Sequence, residues 1–77
     1  MEIEERILKD ISMFSDSMKL ISAAKLDVRE AKVVELAVMY CDDAKSWLAK
    51  KDLYTAFASI SYAHGLLDAI AKLRELK

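Results

Sequence analysis

Ile7, Ile11, Phe14, Met18 and Ile21 recur at alternating spacings of four and three residues, with Ile3 one turn earlier and charged or small polar residues between them. That spacing keeps apolar side chains on one stripe of an α-helix, so the pattern predicts an amphipathic helix from about Glu2 to about Ser22. Glu2, Glu4 and Glu5 stand in its first turn, where carboxylates favour the positive end of the helix dipole.

The stripe breaks at Ser22-Ala23-Ala24-Lys25-Leu26, because its next position falls on Lys25. Asp27 followed three residues later by Glu30 is the capping-box arrangement in its aspartate form, and it predicts a second helix over 28–50. That helix carries Val34, Ala37, Cys41, Ala44 and Leu48 along one stripe and Val33, Leu36, Tyr40 and Trp47 along its neighbour. Two adjacent apolar stripes predict cover on two sides, and hence the central position in the fold. Lys50 and Lys51 place cations at its negative end, and Asp52 is positioned to cap a third helix over 53–74, with Leu53, Phe57, Ile60, Leu67 and Ile70 facing inward and fraying at Glu75-Leu76-Lys77.

A link this short forces the second and third helices into an antiparallel hairpin. With the turn centred near Lys51, each step back along one helix matches a step forward along the other, which sets Gly65 opposite Ala37 and Ala58 opposite Ala44. Gly65 is the only glycine in the chain. A glycine inside a helix costs about 1 kcal/mol relative to alanine, and the pairing predicts that close approach of two backbones offsets it. With the first helix laid across the hairpin groove, residues 1–77 form one all-α domain, an antiparallel three-helix bundle resembling a spectrin repeat.

Composition narrows the function more than it defines it. Twelve basic and thirteen acidic residues give a net charge of −1, so no overall field attracts nucleic acid or an anionic membrane. The single cysteine, Cys41, leaves no partner for an intramolecular disulfide and fits a reducing cytoplasm. No apolar run approaches the roughly 20 residues that span a bilayer, and the acidic N-terminus lacks the order of a signal peptide.

The segment from Val34 to Ala69, and above all Ala56-Phe57-Ala58-Ser59-Ile60-Ser61-Tyr62-Ala63-His64-Gly65-Leu66-Leu67-Asp68-Ala69, resembles the signature of a small archaeal family known as domain of unknown function 357. Tyr40-Cys41-Asp42-Asp43-Ala44 and the Lys51-Asp52 turn are similar to the same family. The resemblance implies a three-helix bundle and an archaeal source, and it carries no activity, cofactor or catalytic residue with it.

Two groups of residues are candidates for function. Ser61, His64 and Asp68 lie at i, i+3 and i+7 on the third helix beside Tyr62, and suggest a polar site. A mid-helix serine lacks the free backbone N–H groups of an oxyanion hole, so a hydrogen bond between His64 and Asp68 at the bundle rim is the simpler expectation. Cys41 and His64 supply half of a zinc site, and no metal or cofactor is expected. The second group is the strip Val33, Leu36, Tyr40 and Trp47, which one small core cannot wholly absorb. The expectation is therefore a non-enzymatic structural or protein-interaction module whose partner is another protein or a second copy of itself. The alternative is a small-molecule or nucleotide-processing site around Tyr62, His64 and Asp68.

Overall fold

The computed structural model describes residues 2–75, so the predicted fraying at Leu76 and Lys77 lies outside the described residues. Its elements are α1 (Ile3–Ser22), α2 (Val28–Ala49) and α3 (Leu53–Leu73), with no strand among the described residues. α2 and α3 begin where their capping chemistry puts them. The Asp27 carboxylate accepts from the Glu30 N–H at 2.8 Å while Glu30 accepts from the Asp27 N–H at 3.0 Å, the reciprocal capping box.

The link between α2 and α3 is compact because Asp52 serves both helices. Its N–H donates to the Trp47 carbonyl and the Lys51 N–H donates to Leu48, each at 3.0 Å, which is the Schellman closure of α2. The Asp52 carboxylate then accepts from the Thr55 N–H at 3.2 Å and opens α3. Lys51 takes φ 65°, the left-handed conformation that such a closure requires at this position.

α1 runs antiparallel to α2 and parallel to α3. Lys51 Nζ reaches Glu4 at 2.8 Å at one end of the bundle, and Arg74 forms a two-pronged pair with Glu30 at the other, its Nε 2.7 Å from one carboxylate oxygen. The core holds Ile7, Phe14 and Ile21 from α1, Ala37, Cys41 and Ala44 from α2, and Ala56, Ile60, Ala63, Leu67, Ile70 and Ala71 from α3.

This inventory corrects the expectation that α2 is central. α3 packs against both other helices and buries side chains on two sides, whereas α1 touches α2 only lightly. α2 fully buries only small residues, and its second apolar stripe is only partly covered, with Leu36 and Trp47 left exposed. The alanine seam between α2 and α3 exists, with Ala37, Ala44, Ala56 and Ala63 all at zero exposure. Ala58, expected opposite Ala44, is exposed and lies outside it, and so does Gly65. The glycine is exposed, and a Cβ built there would meet nothing within 4 Å. Successive helical residues turn by about 100°, so Gly65 sits about 200° around α3 from Ala63 and faces away from α2.

Candidate functional site

Two surfaces carry the predicted site residues, and the structure distributes those residues differently from the sequence pattern. The first is the outer face of the α2–α3 hairpin, on the side that α1 does not cover. Val33 and Tyr40 are half-buried against the core, while Leu36 and Trp47 remain 37% and 36% exposed. Tyr62 joins them: its ring meets Tyr40 edge-on, with centroids 4.6 Å apart and planes at 72°, and it keeps 50% of its surface exposed. Such edge contacts contribute about 0.5–1.5 kcal/mol beyond buried area, so they fix both rings on the surface. Lys50 Nζ lies 5.0 Å from the centre of the Trp47 ring, close enough for a cation–π contact.

The second surface is a groove of about 340 Å³ between α1 and α3, walled by Arg6, Asp10 and Met13 on one side and Ser61, His64 and Asp68 on the other, with Gly65 at its floor. His64 Nε2 lies 2.6 Å from the Asp10 backbone carbonyl, and the imidazole meets Phe14 edge-on at 5.9 Å. A carbonyl only accepts, so this nitrogen carries its proton and is committed to joining α3 to α1. Arg6 Nε is 3.4 Å from the Asp10 carboxylate, and with Asp68 also in the wall the groove is acidic on balance.

The predicted set Tyr62, His64 and Asp68 is therefore divided. Ser61, His64 and Asp68 share the groove, but Tyr62 stands on the opposite side of α3. Two residues along a helix is about 200° of turn, which was the available signal. The same hairpin register that pairs α2 with α3 also brings Tyr62 level with Tyr40.

A further hollow of about 460 Å³ opens between α1 and α2, with Ile11, Phe14, Met18, Val38 and Cys41 in its wall. The sequence pattern did not reveal it, because the α1 stripe alone does not say how lightly α1 would rest on α2. Burial pushes the Cys41 thiol above its usual pKa, which keeps it protonated and weakens it as a nucleophile or metal ligand. Among the described residues, no group of three His, Cys, Asp or Glu side chains is placed to hold a metal ion. No described helix is long and apolar enough to cross a membrane.

An all-α bundle with an uncovered aromatic face is a class of architecture rather than an activity. Within that class, residues 3–76 match the sequence profile of a family described as "Protein of unknown function (DUF357)", and the chain belongs to that family. No curated protein matches it.

Proposed function

We propose that the chain is a non-enzymatic protein-interaction module that works by offering the outer face of its α2–α3 hairpin to another protein. The observation that carries this reading is the row Leu36, Tyr40, Trp47 and Tyr62, left accessible on the side of the hairpin that α1 does not cover. An apolar strip is unfavourable in water, and aromatic residues held in one place contribute disproportionately when a partner covers them. The buried free cysteine suits a reducing compartment, and a cytoplasmic setting is part of the proposal. Affinity capture from the native cell tests the reading by comparing the wild-type chain with Leu36→Lys. Proteins retained by the first and lost with the second support it, and identical retention by both overturns it.

A small-molecule or nucleotide-processing site is the second reading, and the groove at Gly65 favours it by placing Ser61, His64 and Asp68 together. Its acidic balance disfavours phosphate and leaves a neutral or cationic molecule as the chemistry that would fit. A ligand screen followed by thermal shift distinguishes it: stabilisation by a compound, abolished by Ser61→Leu, would favour the groove over the face.

A further inference from the structure

The outer face of the hairpin has a size and relief that point to one occupant. α2 spans 22 residues, so the face is about 33 Å long. With two helices side by side it is about 20 Å across, or roughly 650 Å² in projection. The accessible surface following its side chains is of the order of the ~800 Å² per partner in a standard stable interface. A single docked helix about 10 Å wide covers only about half of it. A second two-helix face of the same dimensions covers all of it, and this chain carries one.

The relief is self-complementary. One level of the face is bulky, made by the Tyr40 and Tyr62 rings. The next level towards the turn carries shorter, polar side chains, exposed Asp43 on α2 and half-buried Ser59 on α3. Beyond it stands Trp47, and on the far side of the tyrosines stand Leu36 and half-buried Leu66. A two-fold axis crossing the helices between the tyrosine level and the Asp43 level sets each copy's tyrosine pair over the shorter Asp43 and Ser59 side chains of the other. The Tyr40 hydroxyl, which donates, then faces the Asp43 carboxylate, which only accepts and has no ion-pair partner among the described residues, and Tyr62 faces Ser59. The same operation lays each Trp47 on the other copy's Leu36 and Leu66, and a net charge of −1 per copy adds little repulsion.

Resting on the interaction reading above, we infer that a second copy of this chain occupies the α2–α3 face, its helices antiparallel to those of the first and its Tyr40–Tyr62 pair seated over Asp43 and Ser59. The dimer is an isologous stack of two hairpins with α1 of each copy on the outside.

Sedimentation equilibrium and intermolecular paramagnetic broadening test this together on the 77-residue chain. The expected result is a dimer whose dissociation constant rises at least about 30-fold in Trp47→Ala, the range of an interface hot spot. Leu36→Lys, at a site already 37% exposed, should do the same while keeping the helical spectrum. In a mixed sample, a nitroxide on Lys32→Cys in a Cys41→Ala background should broaden amides of residues 50–52 in the isotopically labelled partner copy. A monomer at all concentrations, a dimer indifferent to both substitutions, or broadening at residues 69–72 instead overturns the inference. A monomer that still captures a different protein through Leu36 would leave the interaction reading intact while refuting the second copy.

Discussion

Gly65→Ala isolates the difference between what the chain pattern and the fold say about the only glycine. Gly65 lies inside α3, on an exposed side, and its φ is not in the positive range that glycine alone adopts easily. The added methyl group would meet no atom within 4 Å, so it brings no steric cost. What remains is the helix preference of alanine over glycine, about 0.8–1 kcal/mol in an exposed helix interior. Against a total stability of roughly 4–12 kcal/mol for a domain of this length, that is a measurable gain. It corresponds to an increase in Tm of about 4–8 °C at this chain length. Urea and thermal unfolding followed by circular dichroism give both quantities. An unchanged or lowered stability would show that the α3 backbone is approached closely at Gly65, and the groove described between α1 and α3 would be wrong.

The opposite exchange should matter at Lys51, which holds φ 65° without being glycine. Lys51→Gly should be more stable than Lys51→Ala by about 1 kcal/mol, since both lose the exposed contact to Glu4 and only glycine relieves the left-handed backbone; equal stabilities would contradict the Schellman geometry. Acid should weaken the fold through Glu30, whose pKa is lowered from 4.5 to about 2, first by the hydrogen bond from Arg74 and then by the Asp27 N–H. A folded pKa below the unfolded one adds stability above about 4.5 that is lost as pH falls towards 2. Glu30→Gln should flatten that part of the pH–stability curve, and an unaltered curve would show that the clamp between α2 and α3 contributes nothing.

The positions of the helices were legible in the chain because their signals are local. Asp27 with Glu30 and Asp52 with Thr55 are side-chain-to-backbone bonds spanning three residues, and they fix where α2 and α3 begin. The identity of the central helix was not legible. α2 and α3 both carry wide apolar arcs, and which arc is covered depends on where α1 comes to rest. That is decided by contacts about fifty residues apart, including His64 with Asp10 and Lys51 with Glu4. α2 is rich in apolar residues yet buries fully only Ala37, Cys41 and Ala44, so its apolar content reported surface as well as core.

The two candidate sites divided along the same line. Of the strip Val33, Leu36, Tyr40 and Trp47, which a small core does not wholly absorb, Leu36 and Trp47 are exposed while Val33 and Tyr40 pack partly against the core. Tyr62 and His64 are close in the chain, but the helical turn separates them and the Tyr62 ring packs on Tyr40. Gly65 reads as a contact residue when only hairpin register is considered. It is the floor of an open groove once the phase of α3 is taken from Ala56, Ala63 and Leu67.

The most direct question is whether a second copy of the chain covers the α2–α3 face. A concentration series of amide spectra of the isotopically labelled chain reads this residue by residue. Pairing of two copies through this face predicts shifts that grow with concentration and are confined to Leu36, Tyr40, Asp43, Trp47, Tyr62 and their immediate neighbours. Shifts centred instead on Arg6, Asp10, Ser61 and Gly65, or spectra that stay unchanged up to millimolar concentration, would contradict it.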